Sequence, residues 1–141
     1  MNFQTDPRLV SDTALIGELP LSRLLLMDDV RFPWLILVPR IAGARELIDL
    51  DAADQTSLLA EVVEVGRALE ALVQAEKLNI AALGNQVAQL HVHVIARFST
   101  DAAWPQPVWG CGKRKGYSAD ARRQRVASLR TALRNTIDLS D

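Results

Sequence analysis

The chain has only two histidines, His91 and His93, and they lie two residues apart in the segment QLHVHV at positions 89–94. Side chains of an extended strand alternate between its two faces. Gln89, His91 and His93 are therefore predicted to share one face of a strand. Leu90, Val92 and Val94 would share the other face and pack on the core. The first face would then carry three hydrogen-bonding side chains, close enough to act together.

Three interpretations of the two histidines remain open from their spacing alone. They could simply lie on an outward face of the sheet or form local hydrogen bonds. They could ligate zinc or copper, although a catalytic zinc takes three protein ligands and the chain has no third histidine. A neutral imidazole could also attack phosphorus, provided that an acceptor holds its other ring nitrogen and donors neutralise the phosphate oxygens.

Composition narrows the class of protein. The 141 residues are 49% hydrophobic and 23% charged, which predicts a single folded domain over residues 1–141. No membrane span or signal peptide is expected, and the single cysteine, Cys111, suits a cytoplasmic protein. The net charge is −1, and no aromatic pattern accompanies the basic residues of 113–141, so nucleic-acid binding is not expected.

The strands that would position the histidines are predicted from apolar runs bounded by proline, glycine and asparagine. Residues 21–27 and 34–38 are expected to form a hairpin. Another pair of strands is expected to be joined at Gly84-Asn85. The full set of predicted strands is 13–19, 21–27, 34–38, 78–83 and 87–98.

Helices are predicted from apolar spacings of three and four residues and from capping residues. The longest is expected from Asp51 to Lys77, with Leu58, Val62, Val65, Leu69 and Leu72 as its apolar stripe. Asp6-Pro7 should begin a short first helix, and Ser118 should cap a last one with the apolar face Val126, Leu129, Leu133 and Ile137. Together these elements predict an α+β fold, with an antiparallel sheet of about five strands, one long helix and a C-terminal helix.

The segment QLHVHVI at 89–95 resembles the motif of the histidine triad family of nucleotide hydrolases and transferases, in which three histidines alternate with apolar residues. Every apolar position matches, and Gln89 replaces the first histidine. Asn79 and the run 84–87 are similar to the family's approach to the triad. The hairpin is similar to the strands of its base-and-ribose pocket. The resemblance covers residues 21–98, leaving a loop and a C-terminal helix in 99–141.

The resemblance implies catalytic roles for the three residues of the motif. His91, at the middle position, would attack the α-phosphate and form a covalent nucleotidyl-histidine. His93 would orient the reacting phosphate or the leaving group. Gln89 could donate a hydrogen bond to a phosphate oxygen, but it cannot supply a proton near neutral pH.

Substrate-binding residues are implied in the same way. Asn79, Asn85 and Gln86 would lie along the phosphates, and Asp28 would accept hydrogen bonds from the ribose hydroxyls, with Asp29 as its competitor. Candidates for the base pocket, each of which could equally be ordinary core, are Leu26, Phe32 and Leu37. Trp34 stands where many members carry a further histidine. Trp104 lies near a tryptophan that in some members reaches a neighbouring subunit; equally, Trp104 and Trp109 could simply anchor a proline-rich loop.

The implied function is hydrolysis or nucleotidyl transfer on a nucleoside phosphoanhydride or phosphoramidate, for example a dinucleoside polyphosphate. No metal ligand set and no cofactor are required. A homodimer is expected, because family members pair through a continuous sheet and an unpaired edge strand is a liability. Because Gln89 replaces a histidine, a nucleotide-binding or sensing module with little turnover is the alternative. A zinc hydrolase is a further rival.

Overall fold

The computed structural model describes residues 2–136, in which five strands form one antiparallel sheet with helices beside it. The strands are β1 (Thr13–Glu18), β2 (Ser22–Met27), β3 (Trp34–Pro39), β4 (Lys77–Ala81) and β5 (Val92–Arg97). The helices are α1 (Pro7–Asp12), α2 (Ala52–Val73) and α3 (Ala119–Ala132), and a 3-10 turn spans Leu47–Asp49. The strand order β1-β2-β3-β5-β4 confirms the predicted α+β fold.

The two central strands, β3 and β5, are buried along their whole length. On one face, which we call the helix side, the sheet packs against α2 and α3. Leu90, Val92 and Val94 lie here, as predicted from their alternation. The residues of α2 that share this core are Leu58, Val62, Val65 and Leu69.

The opposite face, which we call the histidine side, is also covered. Trp34, Ile36 and Ile95 of the sheet pack there with Leu9 of α1 and with Val108 from the connection between β5 and α3. The sequence predicted a loop in this connection, but it did not predict that the loop closes over the sheet. The histidines therefore lie beneath protein rather than on an open surface.

Helix α2 begins as predicted, because Asp51 accepts a hydrogen bond from the main-chain N–H of Asp54. It ends at Val73, four residues earlier than expected, where Gln74 adopts a left-handed conformation with φ of 55°. A Cβ at Gly66 would lie 3.3 Å from Cδ1 of Leu78, so glycine allows the helix to approach β4 closely. Leu72, near the end of the helix, is 37% exposed instead of buried.

The shorter helices have the predicted caps. Asp6 accepts a hydrogen bond from the Arg8 N–H, and Ser118 accepts one from the Ala121 N–H. Leu129 and Leu133 of the last helix are buried, whereas the predicted face residue Ile137 lies outside the described residues. Within residues 2–136, no helix combines the length and the apolar character needed to cross a membrane.

The prediction of a strand over 87–98 is wrong at its start, because β5 begins at Val92. Residues 82–91 form an irregular connection from β4, and the Leu90 N–H bonds to the carbonyl of Ala44 instead of a neighbouring strand. Gln89 and His91 thus precede the strand that holds His93. The His91 and His93 rings nevertheless lie together, with their centroids 4.8 Å apart.

A buried ion pair fixes the connection after β5 to the sheet. Arg97 and Asp101 are 1% and 3% exposed, with Nε and Oδ2 2.8 Å apart. The guanidinium also donates to Oδ1 of Asn79 and to the Gln106 carbonyl. Although burial acts to raise the pKa of Asp101, its bonds from Arg97 and from three main-chain N–H groups hold that pKa well below its usual range.

We expect Asp101→Ala to destabilise the protein by about 3 to 5 kcal/mol, because it leaves the Arg97 charge buried without its partner. Chemical denaturation monitored by circular dichroism measures this loss. Asp12→Ala is the matched control, since Asp12 pairs with Arg114 at the surface, where both side chains are 47% exposed. Asp12→Ala should lower the free energy of unfolding by less than about 1 kcal/mol. Equal losses in the two variants would contradict the anchoring role of the buried pair.

Candidate functional site

His91 is held in a defined tautomer by its own chain. Its Nδ1 lies 2.7 Å from the carbonyl oxygen of Gln89, and the residue is 5% exposed. A carbonyl oxygen can only accept, so Nδ1 carries the proton and donates it. In the neutral ring, Nε2 then has a free lone pair. This bond is possible because residues 89–91 lie outside the strand, so the Gln89 carbonyl can turn toward the ring.

A tight loop, residues 84–87, folds beside the His91 ring. A Cβ at Gly84 would lie 2.7 Å from the carbonyl oxygen of Val87 and 3.6 Å from Cε1 of His91. The first distance is too short for any side chain. Gly84 therefore allows this segment, which we call the phosphate loop after its expected role, to reach the imidazole.

His93 has both ring nitrogens engaged. The indole N–H of Trp34 donates to Nδ1 at 3.0 Å, and Nε2 lies 3.2 Å from the carbonyl oxygen of Leu83. Because an indole N–H only donates and a carbonyl only accepts, the proton is on Nε2. Burial lowers the pKa of His93 from 6.5 to about 4, and the charge of His91 acts in the same direction, while the bond to Leu83 opposes them.

Aromatic rings enclose His93 and connect it to His91. The rings of Trp34 and Trp109 have their centroids 5.7 and 5.0 Å from that of His93, and the His91 ring lies 4.8 Å away. The sequence identified Trp34 only as a departure from the family pattern and assigned Trp109 to loop packing. The sequence did not predict that either tryptophan would lie against His93.

The Gln89 amide uses its oxygen and one of its two N–H donors on the N-terminal segment. Its Nε2 donates to the carbonyl of Gln4, and its Oε1 accepts from the Asp6 N–H, both at 2.8 Å. The side chain thus binds the main chain of the N-terminal segment. Nothing in the sequence pattern indicated this partner.

The predicted phosphate-binding residues have different surroundings in the structure. Asn79 pairs with Ile95 across β4 and β5, which places it on the histidine side, and its Oδ1 accepts from Arg97. Asn85 lines a cavity of about 160 Å³ together with His91. The Gln86 side chain is exposed, and its carbonyl accepts a hydrogen bond from Arg8 at 2.6 Å.

Asp28, the predicted ribose ligand, contacts the chain just before α3. Its Oδ1 accepts from the Tyr117 N–H at 2.9 Å, and a Cβ at Gly116 would lie 3.1 Å from Oδ2. Its competitor Asp29 is 2% exposed and paired with Arg31 at 2.8 Å. The candidates for the base pocket are buried core residues, namely Leu26, Phe32 and Leu37.

The cavity beside His91 contains two residues that the sequence analysis did not identify, Arg45 and Glu46. They lie between β3 and α2, in a segment without a recognisable pattern. At about 160 Å³ the cavity is smaller than the roughly 300 to 1,000 Å³ of typical small-molecule sites, so it has room for only part of a nucleotide. Within the described part of the chain, no group of three His, Cys, Asp or Glu residues could hold a metal ion.

We expect nuclear magnetic resonance of the imidazole nitrogens to show His93 neutral, with the proton on Nε2, until the pH approaches 4. Because its pKa is lower in the folded chain, the protein should lose stability as pH falls from about 6.5 toward 4. Trp34→Phe removes the donor to Nδ1 and should raise the pKa of His93. Trp109→Phe, which removes no such bond, is the control. Titration of wild-type His93 near 6.5 would contradict its enclosed position.

Solved structures of other proteins share this architecture over nearly the whole chain. A histidine triad protein from Bradyrhizobium japonicum is 47% identical, with a TM-score of 0.91, and the match covers 94% of this chain and 98% of that one. A histidine triad protein from Sinorhizobium meliloti is 46% identical, with a TM-score of 0.91 and coverage of 93% and 97%. A third, from Marinobacter aquaeolei, is 40% identical, with a TM-score of 0.93 and coverage of 96% and 99%.

Comparison with curated proteins finds no match. The family model of the HIT domain, however, matches residues 8–100, which include the hairpin, α2, the phosphate loop and both histidines. The three similar structures agree with this match. The chain belongs to the histidine triad, or HIT domain, family.

Proposed function

We propose that the protein is a nucleotide hydrolase or nucleotidyl transferase in which Nε2 of His91 attacks the α-phosphorus of a nucleoside phosphoanhydride or phosphoramidate. Membership of the HIT family supports nucleotide binding and hydrolase or transferase chemistry in general. The observation that carries the finer proposal is the 2.7 Å bond from Nδ1 of His91 to the Gln89 carbonyl. It leaves the lone pair of a neutral ring on the other nitrogen.

The proposed reaction has two displacements. In the first, the Nε2–P bond forms while the bond from phosphorus to the leaving group breaks, and the leaving group keeps the electron pair. The imidazole becomes cationic, and the Gln89 carbonyl continues to accept the Nδ1 proton. In the second, water attacks phosphorus and gives up a proton to solvent, the electron pair of the N–P bond returns to Nε2, and a nucleoside monophosphate leaves. When another acceptor attacks instead, it keeps the nucleotidyl group.

Neighbouring groups are suited to the charges of this reaction. Arg45 and Asn85, which line the cavity with His91, offer a cation and an amide donor to phosphate oxygens. His93 acts as a positioning residue, since both of its ring nitrogens are already bonded. Because it remains neutral, it adds no second positive charge beside the cationic intermediate.

One observation favours the alternative of a binding or sensing module with little turnover. The amide of Gln89 is bonded to the N-terminal main chain, and His93 has no free ring nitrogen. An amide cannot give a proton to a leaving group near neutral pH, and His93 would have to break an existing bond to give one. Leaving groups that depart as anions do not need this proton.

The test of the nucleophile is a trapped intermediate. With labelled diadenosine tetraphosphate, wild-type protein quenched in alkali should carry one adenylyl group on His91, identified by mass spectrometry. His91→Ala should form no adduct and lose roughly 10³-fold or more in kcat, while Lys113→Ala, at an exposed loop position, should behave as wild type. Undiminished turnover by His91→Ala would refute the mechanism. Bound nucleotide without adduct or monophosphate product would favour the binding module.

We also propose that the protein forms a homodimer through the free edge of β4. This strand ends the sheet, and apolar side chains beside it are exposed: Ile80 at 51%, Ile48 at 87% and Leu59 at 65%. A second copy of the same edge would complete the strand hydrogen bonds and cover this apolar surface.

We expect Ile80→Lys to shift the protein from dimer to monomer, because the dimer would bury a charge against apolar side chains. Sedimentation velocity measures the change. Val10→Lys is the control, since Val10 is 58% exposed on α1 and lies away from β4. Wild-type protein that sediments as a monomer at all accessible concentrations would show that the edge has no such role.

A further inference from the structure

The N-terminal segment, residues 3–9, is fixed along the histidine side by several kinds of contact. Gln89 binds its main chain on both sides of Thr5, through the Gln4 carbonyl and the Asp6 N–H. The Thr5 hydroxyl accepts from Arg23 at 2.8 Å. Leu9 is 4% exposed in the core. The segment is thus an ordered part of the site rather than a loose terminus.

Arg8 lies on this segment and contacts the phosphate loop. Its Nη1 donates to the carbonyl of Gln86 at 2.6 Å, and its Nε and Nη2 donate to the two carboxylate oxygens of Asp6 at 3.3 Å. A guanidinium has five N–H donors, so two have no partner within residues 2–136. The side chain is 61% exposed, which leaves those donors open to a ligand.

The same contacts place Arg8 near the nucleophile. The phosphate loop touches His91 through Gly84 and Arg8 through Gln86, so the guanidinium and the imidazole lie against one short loop. The hydrogen bonds from Arg8 lower the pKa of Asp6, and the charge of His91 is a smaller contributor in the same direction. Asp6, whose main-chain N–H binds Gln89, thus aligns the guanidinium beside the phosphate loop.

We propose that Gln89 is a positioning residue that holds the N-terminal segment so that Arg8 binds the phosphates of an anionic leaving group. The inference rests on the proposed function and extends it to the class of substrate. Gln89 cannot donate a proton, but through the N-terminal segment it holds the positive charge of Arg8 beside the phosphate loop.

The consequence for substrate class follows from the leaving group. An amine expelled from a phosphoramidate requires a proton, and an amide side chain cannot supply one. A nucleoside polyphosphate departs as an anion: the P–O bond breaks, its electron pair stays on the leaving oxygen, and a guanidinium stabilises the charge without proton transfer. The site is thus matched to phosphoanhydrides, including dinucleoside polyphosphates, in preference to phosphoramidates.

The test compares two substrates that transfer the same adenylyl group, diadenosine tetraphosphate and adenosine phosphoramidate. Arg8→Ala should lower kcat/KM for the tetraphosphate by about tenfold or more and should change the phosphoramidate little. Arg8→Lys should recover part of the loss. Gln89→Ala should show the same selective defect, and the double variant should be no worse than the single ones. Arg123→Ala, an exposed arginine on α3, is the matched control and should have no effect.

A binding measurement keeps the inference testable in the absence of turnover. Calorimetry with ATP and AMP should show that wild type prefers ATP and that Arg8→Ala loses this preference. Gln89→His restores an imidazole but removes the two main-chain bonds, so it should shift preference toward the phosphoramidate. Equal losses for both substrates, or an unchanged preference for ATP, would overturn the inference. If the inference fails in this way but wild type still forms the His91 adduct, the proposed function stands. If wild type neither reacts with nor binds nucleotide, the inference and the proposed function are both refuted.

Discussion

Burial of the central strands on both faces is the constraint on which the rest of the structure depends. Polar groups in β3 and β5 cannot turn to solvent, so each must find a partner within the chain. Arg97 finds Asp101, Asn79 and a main-chain carbonyl. His93 finds an indole on one nitrogen and a carbonyl on the other. These partners fix both the loop after β5 and the protonation of the histidine.

The nucleophile is held by a different arrangement, because His91 lies just before the strand. Its partner is the carbonyl two residues earlier, which a regular ladder would have used for pairing. The irregular connection before β5 thus frees a main-chain acceptor at the position where the imidazole needs one. Gly84 contributes to the same end, because it lets the phosphate loop pack against the ring.

Much of the fold could be predicted from the sequence, since periodicity, caps and turn residues are local signals. Asp51, Ser118 and the stripe from Leu58 to Leu69 were sufficient to predict the helices. The start of β5 was not predictable in this way, because the apolar alternation of 90–94 continues past the point where strand pairing stops. The contacts of Leu90 with Ala44, and of Gln89 with residues 4 and 6, depend on tertiary structure.

The candidate site likewise combines residues that the sequence indicates with residues that it does not. The two histidines and Gly84 stand out in the sequence because their types and spacing are unusual. The sequence does not indicate the tryptophans around His93, the arginines near the phosphate loop or the hydrogen bond from Tyr117 to Asp28. Each of these contacts depends on a distant segment. The covering of the histidine side by residues after β5 was missed for this reason: proline and glycine mark a loop without indicating where it packs.

The bonds from Gln89 to the N-terminal segment also bear on the order of folding. They join residues 83 and 85 positions apart in the chain, and closing such long loops carries an entropic cost that local contacts do not. The hairpin and α2, by contrast, are built from contacts close in sequence. The rim of the site is therefore completed only when the two distant segments meet.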